Sequence, residues 1–113
     1  MSAPVLLVDD PRPYVRRLTL NRPDKRNALS NELRTSLFAA LEAADRDAEV
    51  RAVVIRGAGP CFSSGYDLSA EAGRQPTPFH TAGGVGHWAR HVSEGLFRVW
   101  DLATPVIAQV HGW

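Results

Sequence analysis

The chain has 113 residues, which suits one domain of the usual size of about 100–150 residues. Its net charge of +1 and scattered basic residues give no support for binding to nucleic acid, which needs a concentrated basic face. Cys61 is the one cysteine, so an intramolecular disulfide and a cysteine metal cluster are excluded, and a reducing, cytoplasmic setting is favoured. The apolar run near the N-terminus is too short for a membrane span or signal peptide.

Two short strands open the predicted fold. Val5–Val8 is apolar, Asp9–Pro13 has the composition of a turn, and Tyr14–Leu20 is the second strand. The two strands therefore predict a hairpin. The segment 21–29 that follows is polar and irregular, because Pro23 opposes a helix there.

An amphipathic helix follows this irregular segment. Ser30 is a suitable N-cap, and Glu32 in the first turn suits the positive end of the helix dipole. The apolar stripe repeats at helical spacing and consists of Leu33, Leu37, Phe38, Leu41 and Ala44. This pattern predicts a helix that runs to about Asp47.

The second half of the chain predicts a strand, a long loop, a helix and a strand. Val50–Arg56 is apolar on consecutive residues, which is typical of a strand covered on both faces in a parallel or mixed sheet. Residues 69–86 lack periodicity and predict a long loop. The apolar side of the next helix consists of Trp88, Val92, Leu96, Val99 and Trp100. Thr104–Pro105 ends that helix, and Val106–Val110 is the last predicted strand.

The segment Pro60–Leu68, directly after the third predicted strand, carries the strongest indication of function. We expect Phe62 to pack inward and residues 63–65 to form a tight turn, after which Tyr66–Leu68 opens a short helical segment. Gly65 allows a backbone N–H to approach a ligand closely, as stabilisation of a negative charge on a carbonyl oxygen requires. Taken alone, an ordinary glycine turn is the commoner explanation of this pattern.

Three segments in register identify a family resemblance. Asn21–Leu29 (NRPDKRNAL), Phe62–Leu68 (FSSGYDL) and Thr104–Gly112 (TPVIAQVHG) resemble three signatures of the crotonase superfamily, the enoyl-CoA hydratase/isomerase family. The resemblance covers about residues 5–113. It implies an α/β fold, a crotonase-like spiral of ββα units, of which residues 1–113 form the N-terminal part of a single domain. It also implies a homotrimer or hexamer.

The resemblance implies roles for individual residues. The backbone N–H of Tyr66 is one oxyanion-hole donor, and the second donor and the acid/base carboxylates lie beyond Trp113. No separate cofactor is implied, since coenzyme A is part of the substrate. The implied coenzyme A contacts are Lys25, Arg26, Ala28, Ser64, Asp67 and Leu68. Without the resemblance, basic residues in an exposed loop are usually only solvated.

The implied function is the processing of acyl-CoA thioesters. Hydration of an α,β-unsaturated acyl-CoA through a stabilised enolate is the leading prediction, while double-bond isomerisation and thioester hydrolysis share the same oxyanion hole. A non-catalytic CoA-binding or scaffold protein is an alternative of another class. An unrelated nucleotide-binding domain is disfavoured, because no Gly-x-Gly-x-x-Gly follows the first strand. We expect residues 1–113 alone to be inactive and to expose apolar edges at Val53–Ile55 and Val106–Val110, which favours aggregation.

Other conspicuous residues have plainer explanations. The histidines form no metal set and are predicted at the surface or at helix ends: His80, His87, His91 and His111. Cys61 is predicted to be a small packed residue. Trp88 and Trp100 are predicted as core or interface residues of the second helix, with the border of an acyl pocket as the alternative.

Overall fold

The structure, a computed structural model, describes residues 3–81 and 83–112. Within these residues a sheet of four strands follows chain order: β1 (Leu6–Arg12), β2 (Val15–Leu20), β3 (Ala52–Gly57) and β4 (Val106–Ala108). The first pair is antiparallel and the other two pairs are parallel. The helices are α1 (Asn31–Arg46) and α2 (His87–Trp100), with short 3-10 helices at Pro23–Lys25 and Ala72–Arg74. None of the described helices has the length and apolar character needed to cross a membrane.

The β1–β2 hairpin is tighter than the sequence predicts. β1 continues to Arg12, so the predicted five-residue turn at Asp9–Pro13 is wrong and the turn consists of residues 13 and 14. The Asp9 carboxylate accepts a 2.9 Å hydrogen bond from Arg17 Nε across the hairpin, which keeps the polar end of β1 paired. The register shifts between Asp9 and Arg12, so that Pro11, which has no N–H to donate, lies at the irregularity of the ladder.

Helix α1 agrees with its prediction and covers one face of the sheet. The Ser30 hydroxyl caps it by accepting a 3.2 Å hydrogen bond from Leu33 N–H. Between α1 and the sheet lies a buried apolar core of Leu18, Leu41, Ala44, Val50 and Val53. Burial of each leucine side chain stabilises the fold by about 1.5–3 kcal/mol.

Strand β3 lies inside the sheet, between β2 and β4. Val53 is buried, so the predicted exposed edge at Val53–Ile55 is wrong. The edge strands among the described residues are β1 and β4; β4 ends at Ala108, and Ile107 and Val110 are more than half exposed.

Helix α2 packs only in part through the predicted apolar stripe. His91 and Gly95 are its buried residues, whereas Leu96 and Trp100 are 66% and 82% exposed. The prediction is therefore wrong for Leu96 and Trp100, whereas Val99 of the same stripe packs against the core. Gly95 allows a close approach of α2 to α1 that a larger residue would prevent. A Cβ at Gly95 would lie 3.3 Å from Phe38 Cζ of α1.

Candidate functional site

The loop 21–29 and the turn 61–67 form one surface through backbone hydrogen bonds. Leu29 N–H donates to the Gly65 carbonyl at 2.7 Å, and Asp67 N–H donates to the Leu29 carbonyl at 3.2 Å. These two bonds define a parallel β-bridge between Leu29 and Tyr66. The bridge brings together two of the three segments that carry the family resemblance.

The backbone N–H of Tyr66 points away from this bridge. In a parallel pair, successive residues direct their N–H groups to opposite sides, and residues 65 and 67 make the bonds to Leu29. Among the hydrogen bonds of the described residues, Tyr66 N–H donates none. Gly65 has φ 97°, and a Cβ there would meet no atom within 4 Å, so the turn is open on that side. An oxyanion donor needs this combination of an unused N–H and open space.

The segment Tyr66–Leu68 is not the start of a helix, as the sequence predicts, but extended backbone. The bridge to Leu29 fixes Tyr66 in that conformation, and the next helical turn, Ala72–Arg74, begins further along the chain. Asp67 Oδ1 accepts a 2.9 Å hydrogen bond from Ser69 N–H, which turns the chain after the bridge. The Tyr66 N–H therefore does not lie at the positive end of a helix.

Asn27 fixes the position of the turn from beneath. It is fully buried, and its φ of 54° is left-handed, a conformation that asparagine tolerates better than most residues. Its amide accepts from Arg22 N–H at 2.8 Å and donates to the carbonyls of Ala58 and Cys61 at 2.9 and 3.0 Å. The Ser63 hydroxyl donates to the Asn27 carbonyl at 2.8 Å. Cys61 is fully buried here, which confirms its prediction as a packed residue.

An ion pair holds the loop and the turn together at the other end. Arg22 Nη1 donates to Asp67 Oδ2 at 3.0 Å and also to the Ala28 carbonyl, and both ionic side chains are mostly buried. The backbone N–H and hydroxyl of Ser69, followed by Arg22, lower the pKa of the Asp67 carboxyl. Asp67 is therefore ionised at neutral pH, and both of its oxygens are used within the fold.

A cavity of about 820 Å³ adjoins this ion pair. Three of the predicted coenzyme A contacts line it: Lys25, Ala28 and Asp67. Acidic residues share the lining, namely Asp24, Glu32 and Glu71, so its charge is mixed. Arg26 and Ser64 instead line a separate space of about 330 Å³ beside Cys61, and Leu68 is 95% exposed. The structure thus divides the predicted contacts between two neighbouring surfaces.

A second cavity of about 240 Å³ shares Asp67 with the first and extends under α2. Its aromatic and basic lining includes Arg34, Tyr66, Phe79, Trp88 and His91. Trp88 is half exposed and contacts the Tyr66 ring edge to face at 5.4 Å, so it borders a cavity rather than filling the core. Trp100 is exposed, so it is not a core residue, and its prediction as an interface residue stays a prediction.

His91 is the histidine that sequence reasoning misplaced. It is only 4% exposed, so its surface prediction is wrong, whereas His80, His87 and His111 are exposed. Arg34 has only N–H donors, so it donates to His91 Nε2, and Nδ1–H donates to the Thr81 hydroxyl at 3.1 Å. Burial, and then the charge of Arg34, lowers the pKa of His91, which is therefore neutral. Among the described residues, no three His, Cys, Asp or Glu side chains are grouped to hold a metal ion.

Sequence reasoning missed Arg22, Asn27 and Arg34. Arg22 and Asn27 lie inside the loop signature, but their roles depend on contacts with the distant turn. Arg34 lies one residue after Leu33 of the apolar stripe, and a charged residue there is normally assigned to solvent. Only the packing of α2 over α1 shows that it is buried.

The chain belongs to the enoyl-CoA hydratase/isomerase family, whose profile matches residues 13–113. It is 38% identical to the "Probable enoyl-CoA hydratase EchA14" of Mycobacterium tuberculosis strain H37Rv, over 96% of this chain and 40% of that protein. This match and those with solved structures confirm the crotonase-like α/β fold predicted from the three signatures.

Two solved structures illustrate the fold match. An enoyl-CoA hydratase/isomerase from Xanthobacter autotrophicus Py2 is 40% identical with a TM-score of 0.76, over 96% of this chain and 39% of that chain. A monofunctional enoyl-CoA isomerase from M. smegmatis is 28% identical with a TM-score of 0.71, over 97% of this chain and 42% of that chain. The chain spans about 40% of the length of the curated relatives it matches.

Proposed function

We propose that this protein processes acyl-CoA thioesters and hydrates an α,β-unsaturated acyl-CoA. One observation carries the proposal: the backbone N–H of Tyr66 is unused and lies on a turn that belongs to one of the three family signatures. Two cavities adjoin this turn at Asp67. In this proposal the N–H donates to the thioester oxygen, which gains negative charge when the β-carbon is attacked. Removal of one such donor costs roughly 10²–10³ in rate in well-studied enzymes.

The two cavities suggest how the substrate divides between them. We assign the coenzyme A portion to the larger cavity, where Lys25 reaches phosphate and the Ala28 backbone meets the pantetheine arm. Arg26, Ser64 and Leu68 lie on the adjoining surface and complete the proposed contacts. Asp67, which is paired with Arg22, contributes by fixing the edge that the two cavities share. The acyl group then enters the smaller cavity beside Tyr66.

Hydration of crotonyl-CoA by the complete gene product tests this proposal. A backbone N–H cannot be removed by substitution, so Gly65→Ala is the variant of choice. Its positive φ makes alanine strained, which displaces the Tyr66 N–H. We expect a fall in kcat of about 10²-fold or more. Gly83→Ala is the matched control, because a Cβ there meets no atom within 4 Å and its φ is not positive.

The outcomes of this experiment separate the classes of function. Equal rates for the Gly65→Ala and Gly83→Ala variants contradict the oxyanion role. Binding of crotonyl-CoA without any turnover supports a non-catalytic CoA-binding protein instead. Light scattering of the same preparation tests the homotrimer or hexamer, which stays a prediction.

Double-bond isomerisation is the second candidate. It is favoured by the match to the structure of the monofunctional enoyl-CoA isomerase from M. smegmatis. An isomerase converts a 3-enoyl-CoA to the 2-enoyl-CoA and releases no 3-hydroxyacyl product. Product analysis with both substrates therefore distinguishes it from a hydratase.

A further inference from the structure

Arg34 is a buried cation in the wall of the smaller cavity. Its residue exposure is 3%, and its guanidinium donates to Asn31 Oδ1 at 3.0 Å and to His91 Nε2. Within residues 3–81 and 83–112, no carboxylate lies within ion-pair distance of it. A buried charge without a counter-charge is costly, and among the described residues Arg34 has no carboxylate partner that offsets this cost at the cavity.

The neighbours of Arg34 do not neutralise its charge. His91 is neutral, because its Nε2 accepts the hydrogen bond from Arg34. The Tyr66 and Trp88 rings lie 5.3 and 5.9 Å from the guanidinium carbon, which stabilises the cation but supplies no acceptor in the plane of its N–H groups. Glu94 is occupied elsewhere, since its two oxygens accept hydrogen bonds from Arg90 and Thr81.

We infer that Arg34 binds a carboxylate on the acyl group, so that the preferred substrates are thioesters of short dicarboxylic acids. This inference rests on the proposed function and names its substrate class. A planar guanidinium suits a carboxylate in geometry as well as in charge. The two aromatic rings hold the guanidinium in place, and the backbone of Tyr66, whose ring is one of the two, supplies the donor for the thioester oxygen.

A matched pair of unreactive ligands tests this inference: glutaryl-CoA and pentanoyl-CoA have equally long acyl chains and differ in a terminal carboxylate against a methyl group. Calorimetry on the complete gene product measures both dissociation constants, with free coenzyme A as the reference. We expect wild-type protein to bind glutaryl-CoA at least about tenfold more tightly than pentanoyl-CoA. This preference is measured without any variant, so it does not depend on whether a variant folds.

Two variants of Arg34 then locate the source of the preference. Arg34→Met keeps the length of the side chain without its charge, and we expect it to weaken glutaryl-CoA binding on the order of 10²-fold relative to pentanoyl-CoA. Arg34→Lys keeps the charge without the planar fork and should retain part of the preference. Arg46→Met, an exposed position on the same helix, is the control that leaves the ratio unchanged.

Each other outcome overturns the inference. Equal loss for both thioesters in Arg34→Met means that the cation serves a group of the protein and not the ligand. A wild-type protein that binds coenzyme A and pentanoyl-CoA well, without preference for glutaryl-CoA, also overturns it but leaves the proposed function intact. Failure to bind all three ligands overturns the proposed function, and this inference with it.

Discussion

The two walls of the smaller cavity are built differently. The wall that contains Tyr66 rests on the backbone bridge to Leu29 and on the buried amide of Asn27, so hydrogen bonds fix its position. The opposite wall, on α2, also has hydrogen bonds of His91 with Arg34 and Thr81, but it adds ring contacts of His91 with Phe79 and Trp88 and the close approach at Gly95. Hydrogen bonds have narrow geometry, whereas ring contacts tolerate sliding. We therefore expect the position of the Tyr66 wall to be fixed more narrowly than that of the α2 wall.

The largest expected effect comes from removing the hydrogen bonds of Asn27, which support the Tyr66 wall. Asn27→Ala leaves the carbonyls of Ala58 and Cys61 without their buried donor and places alanine at a left-handed φ. We expect a loss of about 3–4 kcal/mol in the free energy of unfolding, measured by denaturant titration. Asn21→Ala removes one exposed hydrogen bond and is the control, with a loss below about 1 kcal/mol. Similar losses for both variants would mean that Asn27 does not organise the turn.

A larger side chain at the end of β3 tests the Tyr66 wall by a steric effect instead of the loss of a hydrogen bond. A Cβ at Gly57 would lie 2.5 Å from the carbonyl oxygens of Cys61 and Phe62, so Gly57→Ala must displace the turn. We expect a loss of about 1–3 kcal/mol together with a strong fall in hydration rate. Gly83→Ala serves again as the control. Full activity of Gly57→Ala would show that the turn tolerates displacement.

The ion pair at the shared edge of the cavities has a smaller expected effect. Arg22 and Asp67 are 18% and 10% exposed at their side chains, and a double-mutant cycle with Arg22→Met and Asp67→Asn should give a coupling of about 1–2 kcal/mol. Since the pKa of Asp67 is lowered on folding, this contribution is present above the unfolded value and is lost as pH falls through the folded value. A coupling near zero at neutral pH would contradict the role given to this pair.

The smallest expected effect is the contribution of His91, on the α2 wall, to the pH dependence of stability. The pKa of His91 is lowered on folding, so below about 6.5 the unfolded chain binds a proton that the folded chain does not. The free energy of unfolding therefore falls as pH decreases from about 6.5 towards the folded pKa of His91. Denaturant titration between pH 7.5 and 5 should show a shallower fall in His91→Gln than in the wild type. Identical slopes in both proteins would contradict a buried, neutral His91.

The sequence predicted the parts of the fold that depend on local pattern. The Ser30 cap, the α1 stripe and the buried β3 strand follow from spacing and composition alone. The failures concern residues whose environment is set by distant segments. The burial of Arg34 and His91 depends on how α2 lies over α1, and Gly95 determines that approach through the side chain it lacks. Likewise, the two aspartates and two prolines of Asp9–Pro13 have the composition of a turn, and only the pairing of Arg17 with Asp9 across the hairpin shows that β1 continues through them.

The position of the candidate site could be predicted from the sequence, but the residues that hold it in place could not. The family resemblance of the glycine turn implied Tyr66 N–H as a donor, and the bridge to Leu29 shows that this N–H belongs to an extended segment and not to a helix start. Asn27 and Arg22 support that donor from another segment, so no pattern within the turn itself indicates them. The distribution of the predicted coenzyme A contacts over two surfaces likewise follows from the left-handed turn at Arg26 and Asn27.

The amide resonance of Tyr66 gives the most direct test of the central claim that its N–H binds the thioester oxygen. In a ¹H–¹⁵N spectrum of the complete gene product, saturating butanoyl-CoA should shift the Tyr66 amide proton downfield, because a new hydrogen bond forms. Free coenzyme A, which has no thioester carbonyl, should not cause this shift. A Tyr66 amide that stays in place while butanoyl-CoA binds would contradict the account.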